Sequence, residues 1–137
     1  MKRYLLDTNV VSELRKPRPH GSVVAWVSGL QPEQTYISTV TLGELQAGVE
    51  RTRRQDPAKA SEIEGWVDHL QGNSQLLPMD AICFREWARL MNGESDQLTE
   101  DGMIAATARI YGLIVATRNE GDFKHFAVPV FNPFTIK

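Results

Sequence analysis

The segment LLDTNV, residues 5–10, joins an apolar run to an acid, a hydroxyl and an amide. Residues 4–6 are apolar and are followed by polar residues that favour turns, a pattern that predicts a short buried strand. In open α/β sheets, the ligand crevice lies at the carboxyl ends of the strands. Asp7 stands at that position, and a carboxylate there is either desolvated at a cost or holding something positive.

The composition is that of an ordinary soluble globular protein, with 42% hydrophobic and 23% charged residues in a chain of 137. That length predicts a single domain, residues 1–137. The net charge of −2 gives no overall attraction to nucleic acid, so any such contact requires a local basic patch. The single cysteine, Cys83, excludes an intrachain disulfide and fits a reducing compartment. With no secretory leader and no long apolar run in the sequence, we expect a cytoplasmic protein without membrane contact.

Strand-like and helix-like apolar spacings alternate along the chain. Strands are expected at residues 4–6, 36–38, 76–77, 113–116 and 128–131. Helices are expected at residues 11–16, around 23–30, at 41–54, from 57 to about 70, after 80 and at 99–111. This alternation predicts an α/β fold, a three-layer α/β/α sandwich around a mostly parallel central sheet of about four or five strands.

Individual residues refine the ends of these elements. Pro129 confines the last strand to a sheet edge, because proline cannot donate a ladder hydrogen bond. Asp80 is expected to be the N-cap of a helix, and Gly112 to end the helix at 99–111. The inner face of the helix after Asp80 is expected to carry Phe84, Trp87, Leu90 and Met91.

Four acids from distant parts of the chain are expected to meet at one rim of the sheet. Strand ends and the first turns of the helices share that rim, because the helices run antiparallel to the strands. Asp7 follows the first strand, whereas Asp122 lies in the predicted loop 118–122 after the fourth. Glu44 and Asp101 fall in predicted first helical turns.

Such a convergence requires compensation. Two like charges about 4 Å apart repel by about 4 kcal/mol at an effective dielectric constant of about 20. Arg118 is the only cation near the four acids in sequence. Oxygen ligands without cysteine or clustered histidine suit Mg²⁺ or Mn²⁺ rather than zinc. The acids therefore predict a site for a hard divalent cation.

Each acid also has a purely structural explanation. Thr41 and Glu44 have the spacing of a capping box. Asp101 would complement the positive end of its helix, although it shares a face with buried positions. Asp122 would be a turn residue, and Asp7 would form an Asx-turn as the strand ends.

Two basic clusters, residues 15–18 and 51–54, lie at helix ends. The cluster at 51–54 fits a solvated helix end, about 15 Å from Glu44, but it also suits RNA backbone or an acidic partner. The cluster at 15–18 would flank the mouth of the crevice. Arg118 is the cation that we most expect to contact a phosphate.

Four motifs resemble, in order and spacing, those of the PIN-domain nucleases. They are LLDTNV at 5–10, LGEL at 42–45, DGMIAATA at 101–108 and TRNEGDF at 117–123. The chain is most similar to the bacterial VapC-type toxins, in particular their FitB-like branch, over essentially its whole length. One short motif would be weak, but four in order are specific.

The resemblance implies an endoribonuclease that depends on Mg²⁺ or Mn²⁺ and hydrolyses RNA phosphodiester bonds. The family's catalytic and metal-binding positions map onto Asp7, Glu44, Asp101 and Asp122. Thr8 would hydrogen-bond a water or the phosphate, and Asn119 would steady the loop that carries Asp122. Gly102 is an unusual residue to follow Asp101 within a helix.

The resemblance also implies partners. Such proteins are toxins of type II toxin–antitoxin pairs and are usually homodimers. A small antitoxin would occlude the crevice, and the complex would bind operator DNA. Nothing in this sequence is typical of a DNA-recognition motif, so DNA binding would fall to the antitoxin.

Two other functions are compatible with parts of the pattern. A non-catalytic PIN-like binding module would keep the fold and use the acidic rim only for regulation or binding. An aspartyl-phosphate phosphatase also begins with a strand that ends in aspartate, but it needs a second acid two residues later. Asn9 occupies that place, which argues against the phosphatase.

Overall fold

The computed structural model describes residues 1–135 and contains, within them, five strands and seven α-helices. The strands are β1 (Tyr4–Leu6), β2 (Thr35–Ser38), β3 (Leu76–Leu77), β4 (Ile114–Ala116) and β5 (Val130–Phe131). The helices are α1 (Thr8–Arg15), α2 (Gly21–Ser28), α3 (Thr39–Arg53), α4 (Pro57–Asn73), α5 (Ala81–Met91), α6 (Thr99–Tyr111) and α7 (Glu120–Phe123).

The sheet has the strand order β3-β2-β1-β4-β5, and every pairing is parallel. From the central strand β1 the chain builds β2 and β3 on one side, and then crosses to build β4 and β5 on the other. The strand order therefore reverses between β1 and β4, where open α/β sheets place their ligand crevice. Leu6 pairs with Ala116, so the two strands end level with each other.

The side chains of β1 alternate between two cores, which explains the three layers. Leu5 packs with Ile104 of α6 and with the inner residues of α5, whereas Leu6 packs with Val10 of α1 and Val23 of α2. A smaller cluster around Val49 joins α3 to α4. The predicted α/β/α sandwich with a parallel sheet is confirmed.

Two helices begin earlier than the sequence pattern predicted, because polar residues that end strands act as their caps. Asp7 is the N-cap of α1, which starts at Thr8 rather than Val11. Ser38 caps α3 by accepting a hydrogen bond from the backbone nitrogen of Val40, so α3 starts at Thr39 rather than Thr41. In each case the apolar periodicity marked only the packed part of the helix.

Other predicted ends are confirmed. Asp80 caps α5 by accepting from the backbone nitrogen of Cys83. Gly112 ends α6 with a φ of 67°, a left-handed conformation that favours glycine. The strand that contains Pro129 in the prediction is shorter, beginning at Val130, and lies at the sheet edge as expected.

Besides the two helix starts, two further predictions were wrong. Phe84 does not lie on the inner face of α5: its side chain is 45% exposed, and Cys83 occupies the buried position instead. Residues 118–122 are not simply a loop, because α7 begins at Glu120 and buries Phe123 beneath it.

The predicted single domain extends to Ile136 and Lys137, which lie outside the described residues. Up to residue 135, no helix combines the length and the apolar character needed to cross a bilayer.

Candidate active site

The reversal point of the sheet brings the ends of β1 and β4 side by side. The backbone nitrogen of Asp7 donates to the carbonyl oxygen of Ala116 at 2.9 Å, which continues the strand pairing by one residue. This places Asp7 next to Thr117. Asp7 is only 4% exposed and Thr117 is fully buried. A carboxylate is thus held at the floor of the crevice.

Three groups hold the Asp7 carboxylate in place. Its Oδ1 accepts from the backbone nitrogen of Thr8 at 2.8 Å. Its Oδ2 accepts from the Thr117 hydroxyl at 2.8 Å and from the Asn9 side-chain amide at 3.1 Å. Asn9 is itself fixed, since its Oδ1 accepts from the backbone nitrogen of Arg118. Asp7 therefore has a fixed orientation, which is what a metal or substrate contact requires.

Asn9 and Thr117 were not among the site residues predicted from sequence. Asn9 was considered only as evidence against a phosphatase. Thr117 had a usable signal, because it follows β4 as Asp7 follows β1, and parallel strands that end together place those residues side by side.

Glu44 lies in the second turn of α3, not in the first turn as predicted, because the helix starts at Thr39. Its Oε1 accepts from the Thr8 hydroxyl at 2.6 Å. The hydroxyls of Thr8 and Thr41 lie 3.0 Å apart. Ser38 is the N-cap of α3, so the capping-box explanation for Thr41 and Glu44 does not hold. The Glu44 carboxylate instead binds a residue next to Asp7.

Asp101 and Asp122 approach from the other side of β1. Asp101 is half-buried in the first turn of α6, as predicted. Asp122 is exposed on α7, and its backbone nitrogen donates to the carbonyl oxygen of Asn119 at 3.2 Å. Asn119 is joined to the site by its own backbone nitrogen, which donates to the Thr117 hydroxyl at 2.9 Å.

The electrostatics show that these acids share one environment. The pKa of Asp101 is raised to about 7, mainly by burial and in addition by the charges of Asp7, Asp122 and Glu44, with a contribution from Glu100. Burial also raises the pKa of Asp7, against the opposing effect of its three hydrogen bonds. The four predicted acids therefore lie close enough to repel one another.

Glu44 follows the same trend. Burial raises its pKa, the hydrogen bond from Thr8 opposes that rise, and the charges of Asp7 and Glu100 add to it. Glu100 is thus a fifth, exposed acid at the rim. Glu100 could not be recognised as a site residue from the sequence, because an acid in a first helical turn commonly complements the helix dipole.

Arg118 does not neutralise the acids. Its guanidinium carbon lies 4.0 Å from the ring centroid of Phe134, and Nη2 lies 3.9 Å from Oε1 of the buried Glu13. In residues 1–135, no lysine, arginine or histidine forms an ion pair with any of the four acids.

The chemistry of the site fits a hard divalent cation. Its ligands would be carboxylate oxygens, which Mg²⁺ and Mn²⁺ prefer, and their mutual repulsion would be relieved by a cation between them. As placed in residues 1–135, no group of three or more His, Cys, Asp or Glu side chains is arranged to hold a metal ion. The acids share one electrostatic environment, and Asp122 on its short helix is the most exposed of them.

Comparison with known proteins matches the PIN domain model to residues 4–129. Toxin FitB of Neisseria gonorrhoeae is 36% identical over 136 residues, which cover 95% of this chain and 97% of FitB. VapC ribonuclease Y4jK of Sinorhizobium fredii is also 36% identical, over 95% of this chain and 96% of that protein.

Solved structures agree. The structure of FitAB bound to an IR36 DNA fragment superposes with a TM-score of 0.82 at 32% identity, and covers 98% of this chain and 97% of that chain. The extent of the domain match and the identity to FitB together show that this chain belongs to the PIN-domain family, in the branch that contains FitB.

Proposed function

We propose that this protein is an Mg²⁺- or Mn²⁺-dependent endoribonuclease, the toxin of a type II toxin–antitoxin pair. The observation that carries the proposal is the group of carboxylates Asp7, Glu44, Asp101 and Asp122 at one rim, whose burial and repulsion raise the pKa of Asp101 to about 7. The relatives named as a toxin and as a ribonuclease support it.

Asp7 and Asp101 are the proposed principal metal ligands, because three hydrogen bonds hold Asp7 at the crevice floor and the charges of the other acids act on the pKa of Asp101. Glu44 and Asp122 would complete the site, and would orient or deprotonate the attacking water. When bound, the cation would polarise the scissile phosphate and lower the pKa of water.

The other residues act on these acids. Asn9 and Thr117 hold one oxygen of Asp7, and the Thr8 hydroxyl holds Glu44. We therefore propose that the main role of Thr8 is to position Glu44, and that its hydroxyl also contacts a water or the phosphate. Asn119 would steady α7 through its backbone.

Arg118 remains our candidate for contact with the substrate phosphate. Its backbone nitrogen donates a hydrogen bond to Oδ1 of Asn9, whose side chain also contacts Asp7, so the Arg118 side chain starts at the rim. The ring of Phe134 and the carboxylate of Glu13 hold the guanidinium, and a bound phosphate would compete with them.

The test incubates the purified protein with total RNA in Mg²⁺ or Mn²⁺, with chelator as a parallel reaction. Asp7→Asn is the matched variant, because it removes the charge and keeps the size of the side chain. We expect metal-dependent cleavage by the wild type alone. Cleavage that persists in chelator, or in Asp7→Asn, would contradict the proposal, and sequencing the cut ends would identify the target.

We also propose a homodimer, a cytoplasmic location and a small antitoxin partner that covers the acidic rim, in a complex that binds operator DNA. The solved FitAB structure contains a DNA fragment, which supports this assembly. Expression of the wild type in bacteria should arrest growth, Asp7→Asn should not, and co-expression of the antitoxin should restore growth. Equal growth arrest by Asp7→Asn would show that toxicity does not depend on the acids.

A further inference from the structure

A cleft of ≈ 320 Å³ lies between α1, α3 and α4 and includes residues of the acidic site. Thr8, Ser12 and Arg15 contribute from α1, and Glu44, Gly48 and Arg51 contribute from α3. Both sets have the spacing i, i+4, i+7, which places each on one face of its helix. The hydrogen bond from Thr8 to Glu44 joins the two faces at one end.

The other end of the cleft is basic. Arg15 and Arg51 are each seven residues beyond Thr8 and Glu44, a rise of about 10 Å along the helices. Both side chains are exposed, and neither forms an ion pair with any residue between 1 and 135. Arg53, by contrast, is paired with Glu50 and Glu64 and is not free to bind a ligand.

Arg51 is directed over the floor of the cleft. A Cβ at Gly48 would lie 3.6 Å from Nη2 of Arg51, so the guanidinium passes close above the glycine backbone. The absence of a side chain at Gly48 leaves this floor open. Between its acidic end and its basic end, the cleft therefore has hydroxyl groups, an open floor at Gly48 and apolar side chains of α3 and α4.

We infer that this cleft binds the RNA backbone next to the scissile phosphate, and that Arg15 and Arg51 contact neighbouring phosphates. The inference rests on the proposed function, because it takes the acidic rim as the point of cleavage. An RNA strand at that rim is repelled by four carboxylates, and the net charge of −2 supplies no general attraction. Affinity must come from local cations that neutralise phosphates, and these two arginines lie in a cleft shared with Glu44.

An acidic segment of a protein would also fit the arginines, but under the proposed function the acidic end of the cleft takes a phosphodiester and not a peptide carboxylate. An RNA strand brings a phosphate that shares a divalent cation with the acids, so both ends of the cleft suit it. The neighbouring Lys59 adds little, because Glu62 lies 3.7 Å from its ammonium group.

The test measures the affinity for a fluorescein-labelled single-stranded RNA in chelator, which keeps the RNA intact. The test variant is Arg15→Gln/Arg51→Gln. The matched control is Arg18→Gln/Arg54→Gln, which removes two exposed arginines from the same chain segments but outside the cleft. We expect the test variant to raise Kd about tenfold and the control less than about twofold. The slope of log K against log salt should fall by about 1.4 in the test variant alone.

Cleavage in Mg²⁺ separates binding from chemistry. The test variant should raise KM about tenfold and leave kcat at saturating RNA unchanged, because neither arginine lies at the acids. If the wild type cleaves RNA and both double variants bind it equally well, RNA does not bind in this cleft, but the nuclease proposal is unaffected. If the wild type does not cleave but only the test variant loses RNA affinity, the nuclease proposal fails and with it the scissile phosphate at the rim, while RNA binding by Arg15 and Arg51 in the cleft stands. Loss of affinity for polyglutamate with unchanged affinity for RNA would show a site for an acidic protein and overturn the inference.

Discussion

Asp7 and Asp80 occupy the same local motif and have opposite electrostatics. Each is the N-cap of a helix, accepts from a backbone nitrogen there and accepts from a hydroxyl, Thr117 in one case and Tyr111 in the other. The backbone hydrogen bond from Cys83 is the first cause that lowers the pKa of Asp80. Burial raises the pKa of Asp7 despite its hydrogen bonds.

The difference shows that a cap motif does not by itself determine the protonation of an acid. Asp80 is a structural carboxylate, because its surroundings favour the charge. Asp7 has as many hydrogen bonds, but it is buried beside other acids, where burial and the charge of Asp122 raise its pKa and so disfavour its charge. The folded protein therefore keeps the Asp7 carboxylate in surroundings that disfavour its charge.

The largest expected effect comes from making the same substitution at both caps. Asp7→Asn should reduce RNA cleavage by more than about a hundredfold. Loss of a residue that only hydrogen-bonds a metal ligand costs about 10- to 100-fold in activity, and loss of the ligand itself should cost more. Its melting temperature in chelator should stay the same or rise, because a disfavoured charge is removed. Asp80→Asn should keep cleavage and lower the melting temperature, because a favoured charge is lost. Thermal denaturation measures the melting temperatures and a cleavage assay on the same preparations measures activity. Melting temperatures that change in the same direction in Asp7→Asn and Asp80→Asn would contradict the difference between the two caps.

The hydroxyl behind Asp7 gives the next effect. Thr117→Val keeps the shape but removes the hydrogen bond to Asp7 and the acceptor for the backbone nitrogen of Asn119, so we expect a loss of about 10- to 100-fold in cleavage and a higher requirement for Mg²⁺. Thr107→Val is the matched control, because that hydroxyl is also fully buried but donates to the carbonyl oxygen of Met103. Comparable losses of activity in both variants would mean that Thr117 acts through stability alone.

The pH dependence of stability tests the raised pKa of Asp101, about 7 in the folded protein. An unfolded aspartate titrates near about 3.9, so the folded state binds the proton more tightly. The contribution of Asp101 to stability is then fully present below the pKa of the unfolded aspartate and is lost as the pH rises through about 7. Between pH 5.5 and 8, chelated protein should lose about 1 kcal/mol, after allowance for solvent screening of a half-exposed group.

Denaturant unfolding at several pH values measures this loss. Asp101→Asn should flatten the profile, and Mg²⁺ should restore stability at pH 8 in the wild type. A wild-type profile that is flat in chelator, or one that Asp101→Asn leaves unchanged, would show that the acids do not share one environment.

The smallest effect concerns two helix glycines. Alanine at Gly48 or Gly65 should stabilise the protein by up to about 1 kcal/mol, since glycine is unfavourable within a helix. A methyl group at Gly65 meets open space, whereas one at Gly48 reaches the cleft floor 3.6 Å from Nη2 of Arg51. We therefore expect only Gly48→Ala to weaken RNA binding, by about two- to threefold. Equal RNA affinities for the two variants would mean that the cleft floor is not in contact with RNA.

Much of the acidic rim was predictable because position along the chain carries the information. Asp7, Asp101 and Asp122 each lie at the end of an element, and parallel topology brings such ends to one edge. The same reasoning brought Glu44 to the rim but assigned it to the first turn of its helix, whereas it lies in the second turn of α3. Apolar periodicity does not reveal a cap such as Ser38, which starts a helix before its first packed residue.

The features that were missed depend on contacts between distant segments. Asn9 matters through a hydrogen bond to Asp7 that the sequence does not indicate, whereas the position of Thr117 directly after β4 was a signal that the prediction did not use. Phe84 has the spacing of a core residue, yet Cys83 fills that position and Phe84 remains 45% exposed. Arg51 could not be separated from Arg53 in sequence, because only the structure shows which of the two has an ion-pair partner.

Titration calorimetry with Mn²⁺ addresses the central claim most directly, since it measures cation binding without RNA or an antitoxin. The wild type and Asp80→Asn should bind the ion with the same affinity, while Asp7→Asn and Asp101→Asn should bind it at least about tenfold more weakly. Equal binding by all four proteins, or no binding by the wild type, would contradict the claim that these carboxylates form one cation site.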